Sequence, residues 1–300
     1  MIGIEGEEDR PVGLGERETA LVLRLSIIIV TWNGDDLLKN CLDSIRVVYG
    51  DVPEIVVVDN ANAASTAALV AAYPNVRYVA APENLGFAGG NNLALPHVTR
   101  DLILLLNNDT VVHADSFTPL IAFLDAHDRV GIVQGTLNIP ALGNGLDVCG
   151  EDLWPWGLLR HRLYGRPTAT TKLIAKRVFA AKGAMLMLKR RVLDDVGGRF
   201  FDPAFKSYFE DIDLCFRARN CGWQTWFVPT PLVDHLCGQT AGRFKREDIM
   251  ARYFRNILVS FHRNFGFWGH VFTIPCFALI AFVYSPKAFV KAVRLLRVAR

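Results

Sequence analysis

Residues 25–34 read LSIIIVTWNG, an almost unbroken apolar, β-branched run that ends in a short polar, glycine-closed stretch. A run of this length and composition predicts a buried strand, with Thr31, Trp32, Asn33 and Gly34 at its carboxyl end. Working outward, Leu37, Leu38, Cys41, Leu42 and Ile45 recur at helical spacing. Residues 54–59, EIVVVD, form a second strand roughly thirty residues after the first, the usual size of a βαβ unit. The alternation continues with an Ala-rich helix over 64–73, a strand over 76–80, a strand over 101–107 (DLILLLN) and a helix near 115–127. Near-continuous apolar strands separated by helices predict an α/β fold with a Rossmann-like, mostly parallel sheet flanked by helices.

Residues 140–175 mix Pro, Gly, Trp and Arg without periodicity and read as a loop over a site. Order returns at 178–188, followed by a short helix, a helix over 209–221 and a strand over 223–228. The C-terminal section differs in character. Residues 267–284 are apolar apart from interruptions such as His270 and Pro275, and their length just reaches the range for crossing a bilayer. Residues 286–300 place Lys287, Lys291, Arg294 and Arg297 on one helical face, with Phe289, Val293 and Leu296 on another. That pattern predicts a helical membrane-associated appendage, attached to the membrane surface in monotopic or re-entrant fashion by residues 265–300. Three segments are expected: a flexible N-terminal extension over 1–22, a catalytic domain over 23–243, and the C-terminal helical segment over 244–300.

The composition, with 51% hydrophobic and 21% charged residues, is that of a globular chain. A net charge of +3 is too small to suggest a nucleic-acid partner. The charge is unevenly spread: an acidic stretch holds Glu5, Glu7, Glu8, Asp9, Glu16 and Glu18, whereas 286–300 carry only positive charges. Cys41, Cys149, Cys215, Cys221, Cys237 and Cys276 form no CxxC pair and are expected to be buried, reduced thiols. The N-terminus lacks the pattern of a secretory leader, so a cytoplasmic location is expected, at the inner face of the cell membrane.

In an open parallel sheet, ligands bind beyond the carboxyl ends of the strands. Those ends carry Thr31-Trp32-Asn33, Asp59-Asn60 and Asn107-Asn108-Asp109. Either they build one polar site, or each makes a local Asx turn or helix cap. Residues 84–92, NLGFAGGNN, combine glycines that permit close backbone approach with a helix that follows, whose first amides would face an anion. The other reading is an ordinary Gly- and Asn-rich loop. Asp109, at a strand tip, suits a hard cation whose remaining ligands are substrate phosphates. Glu210, Asp211 and Asp213 start a helix, where acidic residues are favoured by the dipole. Three carboxylates beside Tyr208, Phe209 and Phe216 exceed what capping needs, and one is a candidate general base. His235 stands just past a strand, as a ligand or a structural histidine.

The order of these motifs resembles the inverting family 2 glycosyltransferases of GT-A fold, in particular their bacterial rhamnosyltransferase-like branch. The resemblance rests on IIIVTWNG at 27–34, VVVDNA at 56–61, NLGFAGGNN at 84–92, LLLNNDT at 104–110, KGAMLMLKR at 182–190, FDPAF at 201–205, YFEDIDLCFRARNCGW at 208–223 and VDH at 233–235. It implies metal-dependent transfer of a sugar from a nucleotide-sugar donor, a UDP- or dTDP-sugar such as dTDP-rhamnose, to a hydroxyl of a glycan or lipid-linked acceptor. Thr31, Asn33, Asp59, Asn84, Gly89, Asn91, Asn108 and Asp109 would hold the donor, with Asp59 accepting from the base. Asp109 is the remaining carboxylate of the family's metal motif, whose first position is here Asn107. Asp109 and His235 would hold Mg²⁺ or Mn²⁺. Asp211 matches the general base, and Trp32, Glu210 and Asp213 fall on the acceptor side.

Two other classes compete. A sugar-nucleotide pyrophosphorylase needs a basic Gly-rich loop after the first strand, where this chain has TWNGDD. A non-catalytic carbohydrate-binding or scaffold module explains Trp154, Trp156 and Trp223 but leaves the carboxylates without a task.

Overall fold

The structure is a computed structural model, and it describes residues 14–236 and 245–298. The first half runs α1 (Glu16–Val22), β1 (Leu25–Thr31), α2 (Asp35–Tyr49), β2 (Glu54–Asp59), α3 (Ala64–Val70), β3 (Val76–Ala80), α4 (Gly86–Ala94), β4 (Leu102–Leu106), β5 (Thr110–Val112) and α5 (Thr118–Ala126). Short strands follow: β6 (Val130–Gln134), β7 (Leu137–Ile139), β8 (Gly145–Leu146), β9 (Glu151–Leu153), β10 (Leu159–His161), β11 (Lys176–Val178) and β12 (Met185–Lys189). The remainder is α6 (Arg191–Asp195), α7 (Glu210–Asn220), β13 (Gln224–Phe227), β14 (Val233–His235), α8 (Arg246–Asn264), α9 (Ile274–Tyr284) and α10 (Pro286–Val298).

Eight strands form the main sheet in the order β11-β13-β6-β12-β4-β1-β2-β3. The half β4-β1-β2-β3 is parallel, as the βαβ spacing implies. The other half is mixed, because β12 runs antiparallel to both β4 and β6. Apolar residues alternate between two cores, one on each face. Ile28, Val56, Val58, Ile103 and Leu105 pack toward α4, α7 and α8. Ile27, Ile29, Ile55, Val57 and Leu104 pack toward α2 and α5. Two buried faces are the reason these strands read as unbroken apolar runs. A second sheet, β5-β14-β7-β8, stands beyond the carboxyl end of β4 and carries His235 on its β14 strand.

Three expectations meet a different geometry. Residues 16–22 are helical, with Val22 buried in the core, so only residues 1–13 of the expected extension lie outside the described residues. Cys41, Cys149 and Cys215 are buried, but Cys221 is exposed and Cys276 half-buried; Cys237 lies outside the described residues. The chain beyond 243 is helical, yet α8 does not stand apart: Ala251, Phe254, Ile257 and Phe261 belong to the same core as the sheet. A π-helical turn over Gly269–Thr273 leads into α9, and α10 packs back on α8. Among the described residues no helix is long and apolar enough to cross a membrane.

Candidate active site

The carboxyl ends of β1 and β2 lie in register, Thr31 beside Asp59, and the turn after β4 brings Asn107, Asn108 and Asp109 to the same rim. Thr31, Asn107, Asn108 and Asp109 line a cavity of about 730 Å³. The start of α7 lines the same cavity. Of the residues expected from sequence, Thr31, Trp32, Asn84, Asn108, Asp109, Glu210, Asp211 and His235 line this cavity. Asn33, Asp59, Gly89, Asn91 and Asp213 are not on its wall.

Each of the five has a physical reason for its placement. Asn33 is exposed, in the left-handed region at φ 51°. Asp59 is fully buried, its oxygens accepting from Ala61 N at 2.8 Å, Ala63 N at 2.7 Å and the Tyr78 hydroxyl at 3.0 Å. The local Asx-turn reading therefore describes this carboxylate, and Asn60 faces the cavity in its place. Gly89 and Asn91 lie inside α4, which begins within the Gly-rich motif itself. A Cβ on Gly89 would meet the Leu85 Cβ at 2.7 Å, and one on Gly90 would meet Val30 Cγ1 at 2.7 Å. These glycines thus serve close packing of α4. Two of the first amides of α4 are also occupied: Gly86 N donates to Asn84 Oδ1 at 2.9 Å and Ala88 N to the Lys206 carbonyl at 2.9 Å. Asp213 faces the interior, where Arg217 Nε at 2.9 Å, Ser260 Oγ at 2.6 Å and Asn264 Nδ2 at 2.9 Å take up its carboxylate. It joins α7 to α8 and is absent from the cavity wall.

The turn before α7 is strained. Lys206, Tyr208 and Phe209 have φ of 58°, 75° and 74°, left-handed values that non-glycine residues rarely adopt. Asn256 of α8 holds this turn, its Nδ2 donating to the carbonyls of Phe205, Ser207 and Tyr208 at 3.2, 3.3 and 2.7 Å. The result aims Glu210 and Asp211 into the cavity. Asp211 Oδ2 accepts from Gly183 N and Oδ1 from Ile212 N, both at 2.8 Å. Burial, reinforced by the charge of Glu151, outweighs these hydrogen bonds and pushes the Asp211 carboxyl up to about 6. Burial and the neighbouring Asp211 charge raise Glu210 well above the usual range, and its Oε2 accepts no hydrogen bond.

Elsewhere on the cavity wall, Asp109 Oδ1 is buried and accepts no hydrogen bond. It lies 3.4 Å from His235 Nε2, and Asn107 Nδ2 lies 3.2 Å from the same nitrogen. The other imidazole nitrogen, Nδ1, is 2.8 Å from Oδ2 of the fully buried Asp147. Lys182 Nζ in turn donates to both Asp147 oxygens at 2.8 and 2.9 Å. Burial opposes ionisation of Asp147, but His235 and Lys182 together outweigh it and hold the carboxyl well below the usual range. Asp147 at Nδ1 orients the imidazole and turns Nε2 toward Asp109 and Asn107. Among the described residues no three His, Cys, Asp or Glu side chains form a complete metal cage. An orphaned carboxylate oxygen beside an oriented imidazole does fit a cation that takes further ligands from a bound substrate.

Several wall residues escape sequence reasoning: Glu151, His161, Lys182, Lys206, Arg252 and Tyr253. Lys182 stands within a quoted motif that carried no assigned role. Glu151 and His161 lie in the irregular stretch 140–175, and Arg252 and Tyr253 in a helix expected outside the catalytic domain.

The family described as "Glycosyltransferase like family 2" matches residues 24–256. The chain is 28% identical over 201 residues to the low-salt glycan biosynthesis hexosyltransferase Agl10 of Haloferax volcanii, covering 65% of this chain and 62% of that relative. It is 22% identical over 272 residues to the N-acetylglucosaminyl-diphospho-decaprenol L-rhamnosyltransferase of Mycobacterium tuberculosis, covering 81% of this chain and 86% of the relative. Among solved structures it is similar to the mannosyltransferase PcManGT of Pyrobaculum calidifontis in complex with GDP-Man and Mn²⁺, with a TM-score of 0.55 at 18% identity over 92% of this chain and 74% of that one. It is also similar to S. aureus TarS 1-349 in complex with UDP-GlcNAc, with a TM-score of 0.54 at 15% identity over 89% of this chain and 73% of that one. At these identities the structural likeness speaks for the fold, which is GT-A. With the family matched over most of its length and the sheet of GT-A form, the chain belongs to glycosyltransferase family 2.

Proposed function

We propose that this glycosyltransferase moves a hexosyl group from a UDP- or dTDP-sugar to a hydroxyl of a lipid-linked glycan, with inversion and with a divalent metal. The observation that carries the reading is Asp211, a cavity carboxyl pushed up to about 6 that lines the same cavity as the Asp109–His235 pair. A general base works best when its proton affinity lies near the working pH. The name of the mycobacterial relative supports dTDP-rhamnose as the first donor to try and a polyprenyl-diphosphate sugar as the acceptor class. Transfer takes place at the inner face of the membrane, to which the exposed apolar and basic C-terminal helices bring the site.

Donor atoms fall to Thr31, Asn84, Asn108 and Asp109. Lys182, Lys206 and Arg252 add positive charge to the same cavity, suited to a diphosphate. The acceptor lies on the Asp211 side, with Trp32 and Glu210 beside it. As the acceptor oxygen bonds to the anomeric carbon, its proton passes to the Asp211 carboxylate and the bond to the diphosphate breaks. One displacement from the far face inverts the configuration. A Mg²⁺ or Mn²⁺ ion, held when bound by Asp109 and His235, supplies electrostatic stabilisation to the charge gathering on the diphosphate.

The test is Asp211→Asn, assayed for donor binding and for transfer with Mn²⁺ and with chelator. Donor affinity is retained and turnover falls by about 10²–10⁴-fold. A variant that transfers sugar at the wild-type rate assigns the base elsewhere, and full wild-type activity in chelator removes the metal.

A further inference from the structure

The two ends of the β9–β10 hairpin face different surroundings. At the base, Glu151 and His161 are paired across the strands and both line the active-site cavity, with His161 Nδ1 3.2 Å from Glu151 Oε1. At the tip, residues 154–157 form a turn closed by Gly157 N donating to the Trp154 carbonyl at 2.9 Å, with Pro155 at its second position. Trp154 and Trp156 meet at a centroid distance of 4.9 Å and remain 42% and 38% exposed. Nothing in a cavity wall requires two exposed tryptophans about 10 Å along the hairpin from it.

The tip is fixed to the C-terminal helices. Thr273 Oγ1 of the π turn donates to the Pro155 carbonyl at 2.8 Å. Gly157, at φ +86°, approaches α9 so closely that a Cβ there would lie 2.9 Å from the Phe277 Cβ. Most of the large hydrophobic side chains exposed on the described surface belong to this tip or to the helices from 267 onward, with Phe267, Trp268, Phe272 and Val283 among the most exposed. Beside α9, α10 lines a groove with Lys287 and Arg294 together with Glu247 of α8, Lys291 being paired with Asp248, and Phe289 of α10 packs on Phe282 of α9. Exposed tryptophans and aliphatic side chains fringed by cations match the interface of an anionic bilayer, where amphipathic rings sit at headgroup level and cations meet phosphate. A second copy of the chain is a poor occupant, because face-to-face pairing would bring the two sets of cations together.

We propose that the hairpin tip, residues 154–158, inserts into an anionic membrane interface beside the π turn and α9, tying lipid contact at Trp154 and Trp156 to the active-site wall at Glu151 and His161. This rests on the membrane reading given above and adds to it an element outside the C-terminal helices. The hairpin sets the depth at which a lipid-borne hydroxyl meets the cavity.

The experiment is co-sedimentation of the full chain with phosphatidylcholine vesicles with and without phosphatidylglycerol at low salt. Wild type, Trp154→Ala/Trp156→Ala and Lys287→Glu/Arg294→Glu are compared, with melting temperature and donor hydrolysis in vesicle-free solution as controls. The tryptophan variant binds phosphatidylglycerol vesicles roughly tenfold more weakly, or worse, with melting and hydrolysis unchanged. Undiminished binding of that variant, with the charge variant weakened, overturns the hairpin's role and leaves the membrane reading standing. Failure of the wild type to bind any vesicle overturns both.

Discussion

Asp211 shows how one buried side chain links mechanism to stability. Its carboxyl titrates near 3.8 in an ordinary setting and is pushed up to about 6 in the fold by burial and the Glu151 charge. Between those values the folded chain binds more protons than the unfolded one, so stability falls as pH rises through that window. The contribution is fully present below the unfolded value and is lost above the folded one. Asp211→Asn removes the ionisation and its cost. In thermal or urea melts, the variant gains stability relative to wild type as pH rises from about 4 to about 6, and the difference stays constant above that. Parallel stability curves across that range contradict the assignment. Asp213, two residues on, is structural: its carboxylate accepts from Arg217, Ser260 and Asn264. The three acids of residues 210–213 look alike in sequence, and only the direction each faces from the helix separates those on the cavity wall from the one in the interior.

At the scale of elements, α8 is the unexpected contributor. Its residues fall within the C-terminal segment, 244–300, that the sequence pattern sets apart from the catalytic domain. In the structure it supplies Arg252 and Tyr253 to the cavity, and Asn256 holds three carbonyls of the strained turn before α7. That turn cannot keep left-handed residues at three positions without such a clamp. Asn256→Ala leaves those carbonyls without this donor, at about 1–3 kcal/mol for a buried unsatisfied group. The variant melts earlier and loses turnover more than donor affinity, because the turn aims Asp211 while the donor side lies on β1 and β4. Unchanged turnover in a folded Asn256→Ala protein contradicts this role. The Gly-rich stretch 84–92 teaches a related lesson. Glycines that permit a close approach suit either a bound anion or plain packing, and the close neighbours of Gly89 and Gly90 are Leu85 and Val30.

For the whole molecule, the C-terminal helices are coupled to the catalytic core. Phe277, Ala281, Ala288 and Ala292 of α9 and α10 belong to the same buried cluster as the sheet and α8. Deletion of residues 266–300 therefore does not simply release a soluble enzyme from its membrane. It uncovers α8, including Phe254 and Phe261, and lowers the melting temperature while raising aggregation, as measured by calorimetry and light scattering. A truncated chain that melts with the full-length one shows the helices to be a detachable appendage.

What the sequence determined by itself is the parallel half of the sheet and its rim. Unbroken apolar strands such as 25–31 and 54–59 can be buried only between two helical layers, and polar residues at their ends must gather on one edge. Local patterning therefore sufficed for Thr31, Asn108 and Asp109 on the cavity wall, whereas Asp211 was singled out from its neighbours only by the family resemblance. Tertiary structure alone decided the rest. Asp147, Lys182 and His235 are distant in sequence, yet they form one hydrogen-bonded chain behind Asp109. Glu151 and His161 face the cavity because an irregular hairpin folds over it. No periodicity marks such contacts, because long-range packing chooses which of several equivalent polar residues turns inward and which is spent on its own backbone.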